Sequence, residues 1–250
     1  MGAPLLFLHG ASFTRQWLPF HEALAGRFDV IAPEHPGFGD TVQRPGFHGF
    51  DDYVLHYDAL LDALNISGAH LVGHGLGARL AAHLATTYPR RFASVALIAP
   101  TGLRQGDSPL VDEFRMSPET RRAAWFNGRE EAHRSALDLK GFPDDVVDAF
   151  ADSTANAQLT WVDRFDRVLE RRLIRIASPV LIIAPQEDRF AGPTSAARYA
   201  ELIPGSSVIT PTGPAGEPSS HAVHVEQPVE IATIVADHAR SHGATSAKEN

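Results

Sequence analysis

A glycine stands where chemistry is expected. Residues Gly73-His74-Gly75-Leu76-Gly77 follow the apolar run His70–Val72 and precede an Ala- and Leu-rich stretch, Leu76–Tyr88. That context reads as a sharp turn from a strand into a helix. In a G-x-S-x-G turn of this kind the central serine presents its hydroxyl for attack on a carbonyl carbon. Gly75 has no side chain, so a covalent acyl step has no attacking atom. The question the sequence poses is what an acyl-transfer site does without it.

The elements that must hold such a turn can be read along the chain. Short apolar runs at Leu5–Leu8, Phe28–Ala32, His70–Val72, Val95–Ala99, Val180–Ala184 and, more weakly, Ser207–Thr210 alternate with helical patterns. Phe50–Leu64 places Tyr53, Tyr57, Leu60, Leu61 and Leu64 on one helical face, and Val229–His238 reads as a closing helix. Val-, Ile- and Leu-rich strands separated by helices predict an α/β fold, a mostly parallel sheet covered on both faces. Ligands of such sheets bind at the carboxyl ends of the strands. Residues 101–178 break the rhythm. They are rich in Arg, Asp, Ala and aromatics, with helix starts at Ser117-Pro118-Glu119 and Pro143-Asp144-Asp145. The expected organisation is a core of residues 1–100 and 179–240, a helical cap of residues 101–178 inserted into it, and a disordered polar tail at residues 241–250.

Composition narrows the function classes. The chain has 250 residues, 44% of them hydrophobic, enough for one sizeable core. Its net charge is −8, from 22 basic and 30 acidic residues, without a Lys/Arg run. Nucleic acid and anionic membranes therefore lack electrostatic support as partners, and a small-molecule substrate is expected. With no cysteine there is no thiolate nucleophile, disulfide or Cys-based zinc site. This fits a reducing cytoplasm, the expected location. The N-terminus lacks the basic start of a secretory signal, and no apolar run approaches the ~20 residues of a membrane span.

Taken in order, the motifs resemble the α/β-hydrolase family over nearly the whole chain, from His9 to His238. The matching pieces are His9-Gly10 with Trp17 downstream, Pro33-Glu34-His35-Pro36-Gly37-Phe38-Gly39, the turn at Gly75, Pro179–Ile183 leading to Asp188, and His221-Ala222-Val223-His224-Val225-Glu226-Gln227-Pro228. The resemblance implies an esterase- or lipase-like site whose members run nucleophile, acid, histidine along the chain, an order that positions 75, 188 and 221 keep. It makes His221 the general base and Asp188 the carboxylate that holds its tautomer. His224 and Glu187 are the neighbours with which each could be confused. Ala99-Pro100-Thr101-Gly102, the other place where relatives carry the acid, has none. The implied oxyanion hole consists of the backbone N–H groups of Leu76 and Ala11, with Ser12 as a near alternative. The N-terminus of the turn helix would add its dipole.

Several further residues have a structural reading beside a functional one. His74 is expected to pack or hydrogen-bond, though it flanks the substrate space. A metal held by His74, His221 and Asp188 is not expected, nor is any cofactor. Gly37-Phe38-Gly39 lacks the Lys of a phosphate loop and reads as a tight turn, with Glu34 structural. In the cap, Trp125, Phe126, Trp161 and Phe165 are candidates to line an apolar pocket, against a core reading for each. Arg115 and Arg129 could meet a carboxylate, against a default reading of solvated charge.

Gly75 itself leaves three readings. A retooled enzyme would place water or a substrate group in the space beside His221, giving general-base hydrolysis or a lyase, isomerase or cyclisation reaction of a carbonyl compound. A silent binding protein would use the cap pocket without turnover. A serine esterase could have lost its nucleophile by replacement, a change that can cost on the order of a million-fold in rate. The resemblance also implies two strands before Leu5–Leu8, whereas the chain starts almost on that strand. Phe28–Ala32 is therefore expected at a sheet edge, which offers a route to a homodimer; alternatively the start is truncated or misassigned.

Overall fold

A computed structural model describes residues 2–243 apart from 105, 108–110, 138–139, 163 and 193. Six strands, β1 (Ala3–Leu8), β2 (Phe28–Ile31), β3 (Ala69–His74), β4 (Phe92–Ile98), β5 (Val180–Ile183) and β6 (Ser207–Ile209), form one sheet. Their order is β2-β1-β3-β4-β5-β6. Every pairing is parallel, with Leu6 opposite Ile31 on one side and Leu71 on the other. The run from Phe28 lies at an edge, as its sequence setting predicts.

Alternation along the strands explains why both faces are covered. Leu5 and Phe7 of β1 join one apolar cluster with Phe20, Ile231 and Val235, while Leu6 and Leu8 join the opposite one with Tyr57, Leu80 and Leu84. Successive side chains of a strand point to opposite faces, so an unbroken apolar run needs helices on each. On the first face these are α1 (Pro19–Ala25) and α9 (Pro228–Gly243); on the second, α2 (Phe50–Ala63) and α3 (Leu76–Thr87). α7 (Ser195–Leu202) adds Tyr199 to the second cluster, and α8 (Val223–Glu226) precedes α9.

Between β4 and β5 the chain forms α4 (Pro118–Phe126), α5 (Asp144–Thr160) and α6 (Arg167–Arg172), with short 3-10 turns. The helix starts fall where the sequence puts them. Ser117 caps α4 by accepting the Thr120 N–H at 3.2 Å, with Pro118 behind it. Asp144 and Asp145 open α5 at the positive end of its dipole. The expected tail at 241–250 needs correction in part. α9 continues through Gly243, because its apolar face stays buried as far as Ala239 and Ser241 and His242 bond back to the preceding turn; residues 244–250 lie outside the described residues. Among the described residues no helix is long and apolar enough to cross a membrane.

The turn between β3 and α3 depends on close backbone approach. A Cβ on Gly77 would lie 2.0 Å from the Leu8 carbonyl oxygen, and one on Gly73 2.3 Å from that of Gly77. Both neighbours are backbone and cannot swing aside. Gly77→Ala is therefore expected to destabilise the protein by about 3 kcal/mol, read as a lowered urea midpoint. A midpoint unchanged from the parent would contradict the close approach.

Candidate active site

Gly75 sits at the apex of that turn with φ 54° and ψ −113°, a region sparsely populated by residues that carry a Cβ. Its N–H donates to Ile98 O at 2.9 Å, and its carbonyl accepts from Arg79 N and Thr101 N. Gly75 is enclosed less tightly than Gly73 and Gly77, and chiefly by a side chain rather than backbone. A Cβ there would lie 3.1 Å from His221 Nε2 and 3.8 Å from Gly10 Cα. The missing side chain would thus point at the far nitrogen of the histidine.

His221 is buried and its ring is held from behind. Its Nδ1 lies 2.8 Å from Asp188 Oδ2. The other carboxylate oxygen, Oδ1, accepts from Phe190 N at 3.0 Å and Ala191 N at 2.6 Å. A carboxylate pinned at both oxygens fixes the Nδ1–H tautomer and leaves Nε2 able to take a proton. His224, the neighbour in sequence, points elsewhere. It packs among Phe13, Phe20 and His74, and burial pushes its pKa well below 6.5.

The loops that carry this pair are tied to the end of α4. Trp125 O accepts from Ala222 N at 2.9 Å, and Asn127 Nδ2 donates to Glu187 O at 2.9 Å. Arg129 corrects a second expectation, for it is not solvated charge. Its Nη2 donates to Glu226 Oε1 at 2.8 Å, and the Glu226 side chain is wholly buried. Glu226 Oε2 in turn accepts from Ser220 N. Burying that carboxylate is tolerable only with a charged partner, which spacing alone does not reveal.

On the opposite side, His9 and His35 brace the turn after β1. His9 Nε2 accepts from His35 N at 2.8 Å, so its Nδ1–H donates to Gly10 O. His35 Nε2–H donates to His9 O at 2.9 Å while its Nδ1 accepts from Tyr57. Both rings are neutral in this scheme. Burial agrees, pushing His9 down to about 4 and His35 well below 6.5. The braced turn presents Ala11 N–H, which, like that of Leu76, has no backbone acceptor among the described residues. Glu34 is structural. Its Oε2 accepts from Asp40 N and Thr41 Oγ1 around the Gly37–Gly39 turn.

A cleft of about 880 Å³, its solvent-open mouth included, joins these parts. Ala11, Ser12, His74, Leu76 and His221 line it from the sheet side. His74 does two things, since its Nε2–H also donates to His221 O at 3.0 Å. From the inserted segment come Trp125 and Phe165. Two other aromatic candidates are not there. Phe126 is fully buried, stacked on His133 and edge-on to Phe13. Trp161 is 58% exposed and lies against Phe114 and Arg164 outside the cleft. Both sit on or beside helices where one residue's rotation separates core from cavity, which sequence periodicity does not fix. Sequence reading missed Phe190, two residues past Asp188, which packs 4.8 Å from the His221 ring, and also Glu113 and Asn156, which line the cleft. Nearness to Asp188 could have flagged Phe190; nothing flags the other two.

With this geometry in place, the comparisons with known proteins can be read. Residues 5–234 match the alpha/beta hydrolase family. The chain belongs to that family. It is 41% identical over 106 residues to the dihydrolipoyllysine-residue acetyltransferase component of the acetoin cleaving system of Pseudomonas putida, a match covering 41% of this chain and 28% of that protein. The chain thus spans well under half of that relative's length. A Pseudomonas savastanoi pv. phaseolicola relative named as a carbamate hydrolase, RutD, is 25% identical, with 94% of this chain and 93% of that protein aligned. Among solved structures, the meta-cleavage product hydrolase CumD of Pseudomonas fluorescens IP01 superposes with a TM-score of 0.72 at 23% identity, covering 96% of this chain and 91% of that one. At that identity the likeness is one of fold.

Two outcomes test the scaffold. Arg129→Ala is expected to cost about 3 kcal/mol, because it strands the buried Glu226 carboxylate; calorimetric melting would show it, and an unshifted melt would refute the pairing. His9 and His21, pushed by burial to about 4, bind fewer protons folded than unfolded. The stability they confer is present above pH 6.5 and is lost as pH falls toward 4, about 3 kcal/mol for His9 alone. Urea midpoints that stay flat between pH 6.5 and 4 would contradict neutral buried rings.

Proposed function

We propose that this chain hydrolyses a small ester or related carbonyl compound by general-base catalysis, with water in the place of a serine hydroxyl. The observation that carries this reading is the His221–Asp188 pair: held at Nδ1 by Asp188, His221 lines the cleft, and Gly75 beside it offers no hydroxyl. Water bound in the cleft would lie within reach of the base. His221 Nε2 takes its proton as the oxygen attacks the carbonyl carbon. Asp188, hydrogen-bonded to Nδ1, stabilises the imidazolium that forms. The negative charge on the carbonyl oxygen falls to the Leu76 and Ala11 N–H groups and the N-terminus of α3. His221 then returns the proton to the leaving oxygen, so the cycle closes without a covalent intermediate, a metal or a cofactor.

The retained His221–Asp188 pair favours catalysis over silent binding, since a pocket alone needs neither group. The relative named as a carbamate hydrolase supports a carbonyl substrate. The inserted segment acts as a cap that closes the cleft over it.

A panel of short p-nitrophenyl acyl esters tests this. The chain should turn them over slowly, with no burst of p-nitrophenol. His221→Ala should lower the rate about a hundredfold or more. Turnover that survives His221→Ala, or an initial burst equal to the enzyme concentration, would refute the mechanism.

A further inference from the structure

The cleft is not uniformly apolar. Phe13, Leu76, Trp125 and Phe190 line it together with the polar side chains of Glu113, Asn156 and Thr160 and the cationic ones of Arg79, Arg104 and Arg164. Among the described residues lining it, Glu113 is the one acid. Asn156 is 2% exposed and lies near Glu113, with Thr160 Oγ1 donating to its Oδ1 at 3.3 Å. The Asn156 carboxamide is buried and the Glu113 carboxyl half-buried; polar groups on the wall of a ligand cavity are costly unless they are paired, and each of these keeps bonding capacity to spare.

We propose that Glu113 and Asn156 form a polar subsite that selects substrates carrying a hydroxyl group at some distance from the reacting carbonyl. The proposal rests on the preceding reading only for which end of the substrate meets His221. A hydroxyl suits this pair because it both donates and accepts. It can donate to a Glu113 oxygen and accept from the Asn156 NH₂ group. Burial raises the Glu113 carboxyl above its usual range, against the opposing pull of Arg121, His221 and Arg164, the charged groups that face it. The apolar wall between the two ends fits a short hydrocarbon link. The substrate class is thus a small hydroxylated acyl compound, reactive at one end and held by its hydroxyl at the other.

Binding of unreactive amides separates this proposal from the mechanism. Calorimetric titration would compare linear ω-hydroxy amides of three to six carbons with their alkyl counterparts on the unaltered chain. At one chain length the hydroxy amide should bind roughly tenfold tighter, as one net neutral hydrogen bond allows. Glu113→Leu should abolish that preference while leaving the alkyl amide's affinity nearly unchanged. Glu113→Gln, which keeps shape and hydrogen bonding, should retain most of it. A merely structural Glu113 would instead weaken both ligands together. Equal affinity of hydroxy and alkyl amides at every length, no binding by any amide, or a preference that survives Glu113→Leu would each overturn the subsite. Turnover plays no part in the measurement, so failure of hydrolysis would sink the mechanism and leave the subsite standing.

Discussion

The backbone crossing at Gly73–Gly77 is the constraint from which the rest of the site follows. β3 must end hard against β1 for α3 to start where it does, and only hydrogen atoms fit at Gly73 and Gly77. The turn between them then takes a positive φ at residue 75. A serine in such a turn would be strained, as functional residues often are; glycine adopts it freely. The shape of the turn is therefore independent of a side chain at its apex. Loss of an attacking atom and survival of the surrounding geometry are compatible in this fold.

Around that apex, separate parts of the chain converge by means of neutral or fully paired polar groups. The His221–Asp188 bond joins two loops 33 residues apart. The end of α4 reaches both loops through Trp125 O and Asn127 Nδ2, and Arg129 anchors the buried Glu226 between them. Across the cleft, His9, His35 and Tyr57 close their hydrogen bonds among themselves without carrying charge. A charge left unpaired at this depth would cost several kcal/mol. The α4 end of the inserted segment thus fixes the two loops on which His221 and Asp188 stand.

Much of the fold is legible in the sequence because the central parallel strands β1, β3, β4 and β5, largely buried on both faces, must be continuously apolar, while the edge strands β2 and β6 are partly or fully exposed and carry a weaker signal. All six runs, from Leu5–Leu8 to Ser207–Thr210, match strands within a few residues. The short helices α1 and α7 are not legible, for seven or eight residues hold too few turns to show a period. At the site, the motif order brings Gly75, Asp188 and His221 into one place. The cleft wall from the inserted segment resists such reading. Trp161 and Phe126 carry the same aromatic signal as Trp125, yet only Trp125 faces the cleft. Glu113 is one acid among many in a charged stretch, and only its place on the cleft wall sets it apart. Arg129 and Glu226 are 97 residues apart, and no local pattern couples them.

If residue 75 faces an assembled His221–Asp188 acyl-transfer centre, as proposed, a serine placed there is open to covalent labelling. Gly75→Ser would be treated with a fluorophosphonate and weighed by intact-protein mass spectrometry, beside the parent chain and a Gly75→Ser, His221→Ala double variant. The account predicts a single adduct at position 75 in Gly75→Ser, none in the parent, and labelling slowed at least a hundredfold in the double variant. A folded Gly75→Ser that stays unlabelled, or that labels equally fast without His221, would contradict it.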